Sequence, residues 1–247
     1  MLRADAISVV TVVTLASGGL ALWIRRHTWR MPWETAATAN VALQTLNVVL
    51  LWPLVSHWIS PKLHAVTGLW NVEELVGHIA YTLGLAAVLY MAAARLDMTG
   101  RQFSRFVNLR IGLPLALFIP VVIAIFMHAG LGLHDVSDLV FVDVSPWLLC
   151  YWCLYIAAIA YLLGQAALAL LALRRDPRQT RAADFYLAAI GVSLLCCFAF
   201  LVDANSMVKW TLIRAEVVAY ALAAGYSWHM KVRYLRGGPR LPDSAGV

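Results

Sequence analysis

Seven long apolar runs, separated by short charged segments, dominate this chain of 247 residues. A helix of about 20 apolar residues is long enough to cross the roughly 30 Å hydrocarbon layer of a membrane. Because 62% of the residues are hydrophobic and only 13% are charged, a soluble core could not bury the apolar surface. We therefore predict an all-α, polytopic integral membrane protein in the lipid bilayer, a single seven-helix bundle over residues 1–236 with a disordered tail at 237–247. The predicted spans are 6–24, 35–58, 74–94, 109–129, 146–173, 184–203 and 210–230.

The Lys and Arg residues lie mainly on one side of this predicted bundle. The segments that follow spans 1, 3, 5 and 7 carry most of the 19 basic residues. Cytoplasmic loops of membrane proteins are enriched in Lys and Arg, so the pattern predicts an external N-terminus and a cytoplasmic C-terminus. The basic residues form no runs interleaved with exposed aromatic side chains, so no nucleic-acid partner is expected. A cytoplasmic protein or an anionic lipid is a more fitting partner for the basic loops.

The segment Trp70–Ile79, WNVEELVGHI, places acidic residues and a histidine at the start of an apolar run. Asn71 and Glu74 have the spacing of a capping box, which predicts that they cap the third span. Glu74, His78 and Tyr81 share one helical face. His78 is then either a neutral histidine bonded to Glu74 or Tyr81, or a functional group at membrane depth.

Other polar residues are expected at the same, outer depth of the bundle. Span 7 must include residues 210–216 to reach across the membrane, so Glu216 lies inside the membrane. Its carboxyl group should then need a partner from another helix. Arg214 can extend its side chain toward the surface. These positions predict an outward-facing polar pocket, with Glu74, His78, Tyr81, His128, Asp203, Arg214 and Glu216 as its candidate ligand-binding residues.

Span 2 carries a stripe of amide side chains. Asn40, Gln44 and Asn47 follow helical spacing and reach mid-membrane, where amides commonly hold helices together. We expect either this packing role, with Gln165 of span 5 as a partner, or the lining of a substrate path.

Four cysteines lie at similar depth in spans 5 and 6: Cys150, Cys153, Cys196 and Cys197. They are redox candidates, although a C-x-x-C pair without a thioredoxin-like pattern favours simple packing. No metal site is predicted. The loop 131–145 carries Asp138 among other acidic residues, and we expect it to be a solvated loop without a dedicated cation site.

The segment Thr67–His78, TGLWNVEELVGH, resembles a pattern found in a family of uncharacterised actinobacterial membrane proteins labelled putative transporters. In that family a T-G-x-x-N-x-x-x-L-x-G-H pattern opens a membrane helix in a seven-helix half, and a cytosolic domain follows in the longer members. The resemblance implies a protein of bacterial or phage origin in the bacterial-type plasma membrane.

Three functions are compatible with these features. The first is transport of a small molecule or ion through the outer pocket. The second is a non-enzymatic sensor or partner-binding module that acts through the basic loops. The third is an intramembrane oxidoreductase that uses the cysteines or a haem held by His57, His78 or His128. The sequence lacks a lysine in the middle of span 7 for a retinal Schiff base, and it lacks the common hydrolase and ATPase motifs.

Overall fold

The computed structural model describes residues 2–136 and 138–237, and these residues form helices and no β-strand. The nine α-helices are α1 (Leu2–Ile24), α2 (Pro32–Leu50), α3 (Pro53–Thr67), α4 (Val72–Ala93), α5 (Gly100–Phe106), α6 (Leu113–His128), α7 (Pro146–Leu173), α8 (Thr180–Leu201) and α9 (Ser206–Gly237). Short 3-10 helices lie at Thr28–Arg30 and Leu139–Phe141, and a π-helical turn at Val107–Gly112 joins α5 to α6. Except for Gly237, which ends α9, the predicted tail 237–247 lies outside the described residues.

The described chain has five helices that are long and apolar enough to cross a membrane, or six if α2 and α3 form one broken span. This confirms a helical membrane bundle. The ninth helix is not among the five, because polar and charged residues such as Arg214 and Glu216 lower its average hydropathy. The seventh span and the orientation of the bundle therefore remain predictions.

The predicted span 35–58 is not one continuous helix, because the chain breaks between α2 and α3. The two helices meet at an angle of 82°. Proline has no N–H to continue the helical ladder, and it pushes the residue before it out of the helical region. Pro53 therefore starts a new helix, and Trp52 before it takes an extended conformation with φ −78° and ψ 121°. His57 consequently lies in α3 instead of ending a span.

The predicted start of the fifth span is confirmed. Ser145 caps α7, since its hydroxyl accepts a hydrogen bond of 3.2 Å from the Leu148 N–H, and Pro146 is the first helical residue. The helix ends at Leu173, as the apolar pattern predicts.

Helices α2 and α4 form the most extensive helix pair of the fold, and glycines of α4 allow the close approach. A Cβ atom added to Gly84 would lie 3.2 Å from Cγ of Gln44 and 3.4 Å from the backbone oxygen of Asn40. Small residues at membrane helix interfaces let backbones come close together. Gly84 thus fixes the depth at which the amide stripe of α2 meets α4.

Ionisable residues gather at the two opposite ends of the bundle. We call one the acidic end, which carries Glu73, Glu74 and Asp138, and the other the basic end, which carries Arg25, Arg95 and Lys231. The basic end also holds one fully buried carboxylate, that of Glu34.

The carboxylate of Glu34 connects several helices at the basic end. The Arg25 guanidinium donates to Glu34 Oε2 at 2.8 Å and to the Ala224 carbonyl of α9 at 2.9 Å. Arg95, which follows α4, contacts Glu34 Oε1 at 3.3 Å, and Lys231 of α9 also contacts this oxygen. A buried carboxylate paired with several cations is compensated, so this network fastens α1, α2, α4 and α9 together.

Replacement of Gly84 by Leu should destabilise the bundle, because the added side chain has no space between α4 and α2. Overpacking of a close interface typically costs about 1–3 kcal/mol. A thermal unfolding measurement in detergent should therefore give a lower Tm for G84L than for the wild type.

Gly164→Leu is the matched control, since nothing lies within 4 Å of a Cβ atom at Gly164. Equal Tm values for G84L and G164L would contradict the close packing of α2 on α4.

Candidate functional site

A small cavity lies inside the bundle where α2, α4, α7, α8 and α9 meet. Its volume is about 40 Å³. A single water molecule needs roughly 10–15 Å³ of such space, so the cavity has room for a few waters. Most of its wall is apolar or aromatic, and its polar residues include Asn47, His78, Tyr81, Ser193 and Glu216.

His78 faces this cavity and is held from α7. Its Nδ1 lies 2.7 Å from the hydroxyl of Tyr151, and the Tyr155 hydroxyl donates to the His78 backbone oxygen at 3.3 Å. The edge of the Trp152 ring also packs against the imidazole. The prediction that His78 bonds to Glu74 or Tyr81 is therefore wrong, because the hydroxyl of Tyr151 in α7 is its partner.

The predicted capping box at the start of α4 is also wrong. Asn71 has a left-handed backbone, with φ 57°, and its side chain makes no capping bond. Its amide group instead donates to the carbonyl oxygens of Leu131 and His134 at 2.6 and 2.8 Å, and its Oδ1 accepts from the Val136 N–H at 3.1 Å. A long-range set of three bonds replaces the local cap.

The Glu74 carboxylate binds the same loop. Both of its oxygens lie 3.0 Å from the Leu139 N–H, and Glu74 is fully enclosed by the bundle. Asn71 and Glu74 thus attach the connection between α6 and α7 to the start of α4.

Asp138 overturns the expectation of a solvated acidic loop. It is buried, and its Oδ1 accepts a hydrogen bond of 2.9 Å from the Val140 N–H, while Leu139 and Val140 pack into the core. Burial raises the pKa of Asp138 above its ordinary value of 3.8, although the Val140 N–H and the nearby Arg214 oppose this change. Removal from water disfavours the charged form of a carboxyl group, which is the cause of this direction.

Arg214 does not extend to the surface as expected, since only 1% of it is exposed. Its guanidinium lies over the ring of Trp210, 4.7 Å from the ring centre. None of its three side-chain nitrogens has a hydrogen-bond partner in the described part of the chain. The carboxyl groups of Glu74, Asp138 and Glu216 surround it within electrostatic range.

Glu216 lies against the cavity and is 3% exposed. Its Oε2 has no hydrogen-bond partner among residues 2–136 and 138–237. The hydroxyl-bearing residues Tyr81 of α4 and Ser193 of α8 line the same cavity, so the polar groups nearest to Glu216 come from other helices. The carboxyl group is placed where it can exchange a hydrogen bond or a proton with a cavity water.

Two residues of the predicted pocket lie elsewhere. Asp203 is a surface residue whose carboxylate, 85% exposed, pairs with Lys209 at 3.1 Å. His128 is exposed at the end of α6, where its ring packs against the edge of Trp147. Both residues sit at helix ends, where water is accessible and burial is unnecessary. Of the predicted set, His78, Tyr81 and Glu216 line the cavity. Glu74 and Arg214 do not line it, although Arg214 lies within electrostatic range of Glu74 and Glu216.

The amide stripe of α2 lies between this cavity and the basic end. Gln44 Nε2 donates to Asn40 Oδ1 at 2.8 Å within the same helix. Within the described ranges, Asn40 Nδ2, Gln44 Oε1 and Asn47 Oδ1 have no partner, and no hydrogen bond joins Gln165 to the stripe. The expected interhelical amide bond is absent because Gly84 brings the backbone of α4, which has no free donor, against this face.

The cysteines do not pair in the described structure, and all four are free. Cys150 and Cys153 are exposed on α7, whereas Cys196 and Cys197 line the cavity. The three histidines considered for haem do not converge, since His57 and His128 are exposed and only His78 faces the cavity. Nor do three or more His, Cys, Asp or Glu residues of the described ranges come together as a metal site.

Sequence reasoning missed the contribution of α7 and α8 to the site. Tyr151, Trp152 and Tyr155 surround His78, and Ser193 faces Glu216 across the cavity. Aromatic residues at i and i+4 in the middle of an apolar helix are a readable signal, since a tyrosine hydroxyl at that depth needs a partner.

In comparisons with known proteins, no protein-family model, curated protein or solved structure matches this chain.

Asp138→Asn should change how stability depends on pH. The substitution keeps the oxygen that accepts from Val140 and removes the titration. Because burial raises the pKa of Asp138 to about 6 in the folded protein, its stabilising contribution is full below about pH 4 and is lost as pH rises through the folded pKa. One unit of difference between the folded and unfolded pKa values corresponds to about 1.4 kcal/mol. As the pH rises from below the unfolded pKa to above the folded pKa, the wild type should therefore lose up to about 3 kcal/mol of unfolding free energy relative to D138N.

Thermal unfolding in detergent at a series of pH values measures this difference, with Asp143→Asn in the exposed part of the loop as the control. A wild-type minus D138N difference that does not vary with pH would show that Asp138 is not protonated on burial.

Proposed function

We propose that this protein is a membrane transporter for a small molecule or ion, and that its site is the cavity beside Glu216. In this proposal the acidic end faces the cell exterior and the basic end faces the cytoplasm of a bacterial-type plasma membrane, with α9 as the seventh span. The resemblance of Thr67–His78 to actinobacterial proteins labelled putative transporters is part of the same proposal.

The observation that carries the proposal is the buried Glu216 carboxyl group with a free oxygen next to a water-sized cavity. An ionisable group within a membrane bundle is costly, and such groups usually line substrate or ion pathways. A purely structural carboxyl group at this depth would be expected to have both oxygens bonded. The free oxygen therefore supports a role in binding.

The surroundings of the cavity favour a small solute. The cavity holds only a few water-sized species, and its lining residues carry an imidazole, a carboxyl group, an amide and three hydroxyls. Helix α4 carries the imidazole of His78 and α9 carries the carboxyl group of Glu216, and both helices reach the two ends of the bundle. Movement between these helices would open the cavity toward one side, as alternating access requires.

Glu216→Gln should abolish transport while leaving the fold intact, because the amide keeps the size of the side chain and removes its ability to ionise. Proteoliposomes on a solid-supported membrane can be given concentration jumps of NaCl, KCl, protons or a set of amino acids. We expect a transient current for at least one of these probes in the wild type and loss of that current in E216Q.

Asp203→Asn is the matched carboxyl-to-amide control, since Asp203 is a surface residue. If the wild type gives no current with any of these probes, or if E216Q and D203N behave alike, the transport proposal fails.

A second candidate function rests on the basic end, where we propose contact with anionic lipid. Helix α5 exposes Arg101 and Arg105 one turn apart, and the half-buried Phe103 and Phe106 lie on its other side. Phe103 packs against Tyr90 and Phe106 against the core, so the aromatic side of α5 faces the bundle and the two guanidinium groups are left exposed to anionic headgroups.

Arg101→Ala combined with Arg105→Ala should reduce the thermal stabilisation that phosphatidylglycerol gives over phosphatidylcholine. Each basic residue near an anionic surface contributes about 1 kcal/mol. Unfolding of the protein in mixed micelles of the two lipids measures the gain. Lys62→Ala at the acidic end should keep the full gain, and an unchanged gain in the Arg variant would exclude this role for α5.

A further inference from the structure

The charges and free oxygens of the acidic end point to protons as the species handled: we infer that Glu216 binds and releases a proton at Oε2, in exchange with the water of the cavity. This inference rests on the proposed transport function and names its substrate.

Positive and negative charges do not balance at the acidic end. Among the described residues, four carboxyl groups are buried there and around the cavity, those of Glu73, Glu74, Asp138 and Glu216. One guanidinium, that of Arg214, lies close to three of them. The other buried cation nearby, Lys209, is paired with Asp203 at the surface. Four ionised carboxylates against one cation would leave uncompensated charge in a low-dielectric interior, at a cost of several kcal/mol for each ion. The missing positive charges must be bound protons or bound cations.

Several buried carboxyl oxygens lack a hydrogen-bond partner within the described ranges. Glu73 Oε1 accepts from the Ser56 hydroxyl at 2.7 Å and Asp138 Oδ1 accepts from Val140, while Glu73 Oε2 and Asp138 Oδ2 have no partner within the described ranges. Glu216 Oε2 is free in the same sense, and it alone of the three residues lines the cavity. A buried carboxylate without enough hydrogen-bond donors is disfavoured as an ion, so a bound proton makes such a group easier to accommodate. Glu216 is the member of this set that water can reach.

Protons fit these carboxyl groups better than metal cations do. A metal ion requires several oxygen ligands that converge at about 2.0–2.6 Å. The carboxyl groups of the described chain do not converge in this way, and no group of three metal-binding side chains is present there. Glu73, Glu74 and Asp138 instead each accept from a different donor, and Glu216 lies at the cavity, as suits separate protonation.

Several other titratable groups face Glu216 or share its cavity. They are His78 and Tyr81 of α4, Tyr155 of α7, Cys196 and Cys197 of α8, and Arg214 and Tyr220 of α9, whereas α2 contributes the uncharged Asn47. Tyrosines and thiols ordinarily lose their protons above pH 8, and arginine keeps its charge. Glu216 is the residue in this lining that carries a carboxyl group, so we assign the proton to it.

The exchange step is simple and balanced. An O–H bond of a hydronium ion in the cavity breaks, an O–H bond forms at Glu216 Oε2, and a neutral water remains. The carboxylate becomes a neutral acid, so the net charge near Arg214 rises by one. Release is the reverse reaction toward water from the opposite side.

Infrared difference spectroscopy of the protein reconstituted in lipid tests the inference without any need for transport. The carbonyl stretch of a protonated carboxyl group should appear at neutral pH, should fall as the pH is raised, and should lose one component in E216Q. Glu216→Asp keeps a carboxyl group and should restore a shifted component, and D203N should leave the neutral-pH band unchanged. A spectrum in which wild type and E216Q coincide at every pH would overturn the inference.

Proton flux supplies the second test. Proteoliposomes are loaded with the pH-sensitive dye pyranine, and valinomycin with potassium dissipates the membrane potential. The external pH is then lowered in one step. We expect internal acidification with the wild type and D203N and complete loss of it in E216Q.

The two proposals fail in different ways. One outcome is a current that responds to sodium, potassium or amino acids but not to protons, with no change in pyranine fluorescence. This outcome would overturn the proton inference and leave the transport function standing. An absence of flux for every probe would overturn transport, while the infrared band would still decide whether Glu216 binds a proton.

Discussion

Compensation of buried charge is the constraint on which this bundle depends. Removal of an ion from water costs several kcal/mol unless partners or protonation replace the hydration shell. The two ends of the bundle meet this constraint in opposite ways. At the basic end, Glu34 is surrounded by the cations of Arg25, Arg95 and Lys231, and the ion pairs hold four helical segments together. At the acidic end, Arg214 lies among several carboxyl groups without a direct hydrogen bond in the described chain.

This difference separates a structural cluster from a site. Both carboxylate oxygens of Glu34 contact cations, so they have no bonding capacity left for a ligand. Replacement of Glu34 would leave these cations without their partner. Free oxygens and nitrogens at the acidic end, together with the cavity beside Glu216, leave hydrogen-bonding capacity that a solute can use. The loop bound by Asn71 and Glu74 covers this end, and it places Asp138 close to Arg214.

The sequence predicts the helices well and their tertiary partners poorly. Apolar length and a local Ser-Pro signal determine where α7 starts, and both can be read without the fold. The break at Pro53 is also readable, because proline restricts its own backbone and that of Trp52. By contrast, the bond from Leu139 to Glu74 joins residues far apart in the chain, and no local pattern distinguishes it from a helix cap. The burial of Asp138 escapes sequence reasoning for the same reason, since burial of a loop depends on what the loop packs against.

Helix α9 connects the two ends with one uninterrupted run from Ser206 to Gly237. At 1.5 Å per residue, Arg214 and Lys231 are separated by about 26 Å along its axis. One helix therefore carries both the guanidinium without a hydrogen-bond partner in the described chain and the ammonium that contacts Glu34. A shift of α9 as a body along its axis would change the surroundings of both groups together.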